Sequence, residues 1–209
     1  MVLEGVEGAG KTTQVARLAG WLADKGVPHV VAREPGGTPV GEAIRSVVLD
    51  RLDLEVPPRT ELMLILAARS AFVRQVVRPA LDRGEVVVAD RYEPSTLAYQ
   101  GYGRGLPIEE IERLNAFATE GLVADLTLVL DVPVEIGLER QSREGKEADR
   151  MERGGLEFLE RVRAGYLELA SRDPRALLID ASGTAEDVHG AVLEHVRGCL
   201  RGTFPHREE

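Results

Sequence analysis

Gly5-Val6-Glu7-Gly8-Ala9-Gly10-Lys11-Thr12 fits the spacing G-x-x-x-x-G-K-[S/T] at every fixed position. Each fixed type has a physical reason. Gly5, Gly8 and Gly10 let the backbone wrap an anion with N–H groups turned inward. The helix expected near Lys11 adds the positive end of its dipole. Lys11 sets a cation against the β and γ phosphates, and the Thr12 hydroxyl is a hard ligand for Mg²⁺. An apolar strand-like start, Met1 to Glu4, precedes the loop, and the amphipathic pattern Val15 to Lys25 follows it. An accidental Gly-rich turn has to meet pattern, strand and helix together by chance. The loop says "nucleoside triphosphate" and leaves the reaction open.

Four further clusters bear on the reaction. Arg33-Glu34-Pro35-Gly36-Gly37-Thr38 follows the second strand-like run, at a strand carboxyl end where an open parallel sheet places its ligand crevice. It is sited to hold an anion, or it is a surface turn with a solvated Arg. Arg69, in Ala67-Ala68-Arg69, interrupts an apolar helical face that includes Leu62, Ile65 and Leu66. A buried Arg must be paired, so Arg69 either reads a base carbonyl or closes an internal ion pair. Asp90-Arg91-Tyr92 follows the apolar run Val86 to Ala89. Asp90 stands where a P-loop enzyme places its second metal-coordinating carboxylate, usually through water; otherwise it is a helix cap. Arg91 would face the transferred phosphate. Ser95 and Tyr99, four apart on the helix that follows, share one face. Last, Arg140, Arg143, Lys146, Arg150 and Arg153 are interleaved with Glu144, Glu147, Asp149 and Glu152. Such a run is usually a solvated face. Here it falls where small-molecule kinases carry a lid, and arginine closing over a transferring phosphoryl group is worth roughly three or more orders of magnitude in rate.

The elements that must position these groups alternate along the chain. Strand-like runs are Met1 to Glu4, Val27 to Ala32, Val86 to Ala89, Leu126 to Leu130 and Ala176 to Ile179. Helical patterns are Val15 to Lys25, Val40 to Leu49, Thr60 to Leu81, Ile108 to Leu122, Val134 to Arg143, Phe158 to Ala170 and Ala185 to Leu200. The alternation predicts an α/β fold with a mostly parallel sheet and helices on both faces. The 209 residues, 44% hydrophobic, suffice for one packed core and are read as one domain, 1–209. Gly145 to Gly155 is the least periodic internal stretch, and the lid is expected at about 141–155. A net charge of −9 argues against a generic basic surface for nucleic acid. Cys199, the one cysteine, cannot form an internal disulfide. No apolar run approaches the ~18 residues of a membrane helix. Met1-Val2-Leu3 runs directly into Glu4-Gly5 without a leader-like segment, so a cytoplasmic protein is expected.

As a set these residues resemble the thymidylate kinases common in bacteria. The resemblance rests on Leu3 through Gln14, Arg33 through Thr38, Ala67-Ala68-Arg69 and Asp90-Arg91-Tyr92 with Ser95. It continues through Ala98-Tyr99-Gln100-Gly101, Gly103-Arg104-Gly105, Asp125-Leu126-Thr127, Leu130-Asp131 and Asp149-Arg150 with Glu152. It implies a P-loop nucleoside monophosphate kinase fold, with a central five-stranded parallel sheet and a lid. It implies transfer of the γ-phosphoryl group of ATP to dTMP with Mg²⁺, and a homodimer.

By position, Gly5, Val6, Glu7, Gly8, Ala9, Gly10, Lys11, Thr12 and Thr13 match the ATP loop, and Thr12 and Asp90 the metal site. Glu7 matches the residue near the sugar 3′-hydroxyl, and Arg69 the one that reads a thymine carbonyl. Arg91 and Arg45 match substrate-side arginines, and Arg33 and Pro35 line the same site. Ser95, Thr96 and Gln100 surround the base, and Tyr99 crowds the sugar 2′ position. Gly8 and Ala9 leave no Arg in the loop, so the chain looks like the lid-arginine type, with Arg140, Arg143 and Arg150 as candidates. One departure stands out: Ile65 occupies the place where the family usually stacks Phe on thymine. The rival readings are another small-molecule kinase, acting on dUMP, CMP or a deoxynucleoside, and a nucleotide-binding module without turnover. The guanine-reading Asn/Thr-Lys-x-Asp motif is absent from the sequence, which argues against a GTPase switch.

Overall fold

The computed structural model of the chain describes residues 1–143, 145, 150, 151 and 154–203, with the backbone alone for 201–203. Among these, β1 (Val2–Glu4), β2 (His29–Arg33), β3 (Val86–Asp90), β4 (Thr127–Asp131) and β5 (Ala176–Asp180) form a sheet in the order β2-β3-β1-β4-β5. Every neighbouring pair is parallel. The apolar runs sit where both faces are covered: Leu3, Val88, Leu128 and Leu130 are fully buried, while the edge strands expose Val31 and Leu178. Alternate residues of the central strands pack to opposite sides. Leu3 and Val88 share one cluster with Leu18, Leu22, Val192 and Val196; Val2, Val87 and Ala89 share another with Phe72, Val77 and Ala80.

The helices are α1 (Lys11–Asp24), α2 (Pro39–Arg45), α3 (Pro58–Phe72), α4 (Arg78–Asp82), α5 (Glu93–Thr96), α6 (Ile108–Thr119), α7 (Val134–Arg143), α8 (Leu156–Arg172) and α9 (Ala185–Thr203). Register brings the site together. Asp90 lies beside Leu3 on one side and Arg33 on the other. The loop after β1, the Arg33 turn and Asp90-Arg91 therefore emerge side by side at the carboxyl edge.

Some expected boundaries move for local reasons. β2 starts at His29 rather than Val27, because the Val27 N–H caps α1 by donating to the Leu22 carbonyl at 2.9 Å. The helix expected over Thr60 to Leu81 is α3, a π-helical turn Val73–Val77, and α4. Pro79 lacks an N–H and clashes with the preceding turn, and the wider turn absorbs it. Other π-helical turns, Ser46–Asp50 and Leu97–Gly103, border the cleft described next. Lys146, Asp149, Glu144, Glu147, Glu152 and Arg153 lie outside the described residues.

Candidate functional site

A cleft of about 1160 Å³ opens along the carboxyl edge of the sheet. It is lined by loop residues Glu7 to Thr13, by Arg33, Pro35 and Arg45, by Ile65 and Arg69, by Asp90 and Arg91, by Ser95, Thr96, Tyr99 and Gln100, and by Arg140. Gly5 and Val6 open the loop without lining the cleft, and their carbonyls accept hydrogen bonds from Lys11 Nζ at 2.9 and 2.8 Å. Burial, and then the nearby charge of Arg91, lower the Lys11 pKa to about 8, against the pull of Glu7 and Asp90. The loop runs into α1 at Gly10, whose φ of 89° suits glycine. Gly8 is demanded by its neighbour: a Cβ there would lie 2.1 Å from the Gly137 carbonyl oxygen in the first turn of α7. A Cβ on Gly137 would lie 2.3 Å from the Glu7 carbonyl oxygen, so two glycines let the loop and α7 touch backbone to backbone.

Thr12 and Asp90 meet: the Thr12 hydroxyl donates to Asp90 Oδ2 at 2.9 Å. Next to them Arg91 takes φ 77°, a left-handed conformation that costs a non-glycine residue roughly 1–3 kcal/mol and that clusters at functional sites. Its guanidinium donates to the Gly5 carbonyl at 3.2 Å, Ser95 Oγ and Tyr166 Oη at 3.1 Å each, and Tyr99 Oη at 3.3 Å, and it pairs with Glu7. Tyr99 also donates to Glu7. Burial pushes the Glu7 carboxyl upward, but Arg91, Lys11 and the Tyr99 hydroxyl outweigh it and hold the group below the usual range. Ser95 and Tyr99 thus do share a face, across the join of α5 and its π-helical turn.

The Arg33 turn is built by capping. Thr38 caps α2 by accepting the Gly41 N–H at 2.9 Å, and Pro39 opens the helix. Arg33 pairs with Glu42 at 3.0 Å, and Arg45 donates to the Pro35 carbonyl at 3.0 Å. Burial, and then the like charge of Arg33, lower the Arg45 pKa, as a cluster of cations facing one cleft must.

Arg69 is 1% exposed and all three of its guanidinium nitrogens are engaged. It pairs with Glu34 and donates to Thr96 Oγ1, Asn115 Oδ1 and the Tyr92 carbonyl at 2.6 to 2.8 Å. The internal ion pair is therefore present, and the same side chain also lines the cleft. Burial pushes the Glu34 carboxyl up to about 7 despite Arg69. The candidate lid arginines part company. Arg140 donates to the Gly8 carbonyl at 3.3 Å and to the carbonyls of Ala181, Ser182 and Gly183, tying the loop to the turn after β5. Arg143 is exposed and pairs with Glu139 along α7. Arg150 donates to the Val48 carbonyl at 2.7 Å and pairs with Glu61.

Three site residues escaped sequence reasoning. Glu4 is wholly buried and accepts from the Tyr92 N–H at 2.7 Å, Ser95 Oγ at 2.6 Å and Tyr166 Oη at 2.9 Å. Tyr166 sits on the apolar stripe of α8 with Phe158, Leu159 and Val162, where only its hydroxyl hints at a partner. Glu61 is fully buried on α3. The signal for both carboxylates was an acid inside an apolar pattern.

Residues 3–192 match the family described as thymidylate kinase. The thymidylate kinase of Pelotomaculum thermopropionicum is 51% identical over 201 residues, spanning 96% of this chain and 93% of the relative. That of Deinococcus radiodurans is 47% identical over 193 residues, spanning 92% and 93%. Among solved structures, the thymidylate kinase from Ehrlichia chaffeensis superposes with a TM-score of 0.75 at 29% identity, covering 93% of this chain and 96% of that one.

Proposed function

The chain belongs to the thymidylate kinase family, and from that premise we propose how its residues divide the transfer of the γ-phosphoryl group of ATP to dTMP, which yields dTDP and ADP. Gly5 to Thr13 take the triphosphate, with Lys11 on its terminal oxygens. Arg91, with Arg45 and Arg33, holds the acceptor phosphate. Ile65, Arg69, Ser95, Thr96 and Gln100 surround thymine; because Arg69 is committed inside the protein, its contact with a base carbonyl is a shared one. Tyr99 and Glu7 border the sugar. The observation that carries this reading is the hydrogen bond from Arg91 to the Gly5 carbonyl: the proposed acceptor arginine touches the proposed triphosphate loop, which supports both substrates sharing one cleft. The acceptor needs no strong general base, because a phosphate monoester is already anionic at pH 7.

Thr12 and Asp90 offer two hard oxygens 2.9 Å apart. That donor set suits Mg²⁺, which keeps several waters and takes one or two protein ligands beside substrate phosphates. Thr12 would hold it directly and Asp90 through water. When bound, the ion neutralises charge on the β and γ oxygens. The lid expected at about 141–155 lies in part outside the described residues, which stop at 143 and resume at 145, 150, 151 and 154. Of the candidate arginines, Arg140 donates to the loop at the Gly8 carbonyl, and Arg150 pairs with Glu61.

The same reading has the chain working in the cytoplasm as a homodimer. Leu62 and Leu66 of α3 pack with Ile111 and Ala118 of α6 inside the protomer, while Met63 and Phe117 of the same helices stay exposed, Phe117 to 85%. An exposed aromatic on paired helices suits a two-fold contact; sedimentation at monomer mass would refute it.

Ile65 is 6% exposed and lines the cleft. Replacing it by Phe restores a stacked ring, a gain of about 0.5–1.5 kcal/mol. The dTMP KM of Ile65→Phe is expected to fall several-fold while the ATP KM stays put. An unchanged dTMP KM counts against the base lying on α3.

A further inference from the structure

Glu61 lies four residues before Ile65 and eight before Arg69 on the buried side of α3, and those two line the cleft. Its carboxylate accepts from Gln100 Nε2 at 2.8 Å and from the Arg104 guanidinium at 3.3 Å, and pairs with Arg150. The two arginines offset the cost of burying its charge. A carboxylate so paired offers acceptors only. The consequence falls on Gln100. Its amide must turn its nitrogen to Glu61, and that nitrogen also reaches Met151 Sδ at 3.8 Å. What Gln100 has left for the cleft, which it lines, is its carbonyl oxygen, an acceptor.

We propose that Glu61 is a positioning residue for base selection. By fixing the amide of Gln100, it makes the pocket favour a pyrimidine with an N–H at ring position 3, as in thymine and uracil, over cytosine, whose ring nitrogen 3 is a bare acceptor. The inference rests on reading Gln100 as part of the base pocket. Cytosine sets acceptor against acceptor in a desolvated place and leaves both without a donor, the situation in which a polar site discriminates most strongly. In Glu61→Gln the new amide can donate to the Gln100 oxygen, so the Gln100 amide is free to turn over and present its N–H groups.

The test is kcat/KM for dTMP, dUMP and dCMP, read as ADP formation, with dCMP measured as a competitive inhibitor where its turnover is too slow. In Glu61→Gln the dTMP to dCMP ratio is expected to fall about tenfold or more. The dTMP to dUMP ratio is expected to hold, because both bases carry the N–H. Glu61→Asp keeps a carboxylate and is expected to recover much of the lost ratio. An unchanged dTMP to dCMP ratio in Glu61→Gln, or an equal loss for all three nucleotides as a merely structural role would give, overturns the proposal. Gln100→Ala separates the two levels. If it leaves the dTMP KM unaltered, the base-pocket reading itself has failed. If it raises that KM while Glu61→Gln keeps the ratio, only the orienting role has failed. Should Glu61→Gln strand two arginines and not fold, Glu61→Gln with Arg104→Gln removes one charge of each sign and carries the same test.

Discussion

Lys11→Ala is expected to abolish dTMP-dependent ADP formation, with kcat lower by roughly three or more orders of magnitude, the scale of removing a charge that stabilises a transferring phosphoryl group. Lys11 is 7% exposed, lines the cleft and reaches back over the loop to the Gly5 and Val6 carbonyls. Its ammonium is thus held where a terminal phosphate would enter, with little water to screen it. The same burial gives a second readout in the unaltered enzyme. A pKa lowered to about 8 means that Lys11 carries its charge below that pH and loses it above. The kcat/KM for ATP, which reports the free enzyme, is expected to fall on the alkaline side of about pH 8. In Lys11→Ala any residual activity lacks that alkaline limb. Near-normal turnover in the variant removes the loop from the mechanism.

Arg91→Ala is expected to lower kcat/KM for dTMP by ~10²–10³-fold, with a much smaller change in the KM for ATP. Arg91 gathers Gly5, Glu7, Ser95, Tyr99 and Tyr166 around one guanidinium, so its loss unsettles the sugar-side pair Glu7 and Tyr99 as well as the phosphate contact. Arg91→Lys keeps the charge and loses the planar fork, and is expected to recover only part of the rate. Thermal unfolding of each variant distinguishes lost catalysis from lost fold. Equal damage to dTMP and ATP use contradicts the assignment of Arg91 to the acceptor.

The loop was legible because its chemistry demands fixed residue types at fixed spacing, and the alternation of apolar runs and helical patterns called for a parallel α/β sheet. Arg33, Asp90 and Arg91 were legible because they fall directly after apolar strand-like runs; Arg33 and Asp90 close β2 and β3, and the register Leu3 to Asp90 to Arg33 puts them at one edge. What stayed hidden depends on contacts far apart in sequence. Arg150 finds Glu61 across 89 positions, and Arg140 finds Ala181 across 41. No local pattern encodes either pairing. Arg69 shows the limit from the other side: an arginine in an apolar face must be paired, but sequence does not say whether with ligand or protein, and Glu34 supplies the protein partner. The π-helical turns were hidden as well, since one extra residue in a single turn barely disturbs helical periodicity, although Pro79 marked one of them.

The most direct test of the account is a substrate panel: ADP release from ATP with dTMP, dUMP, dCMP, CMP or thymidine as acceptor, measured side by side as kcat/KM. An arginine-lined phosphate site beside a thymine pocket predicts the highest value for dTMP, a lower one for dUMP, and little or nothing for thymidine, which has no phosphate to hold. Comparable or faster turnover of thymidine or CMP, or ADP release at the same rate with no acceptor added, would contradict it.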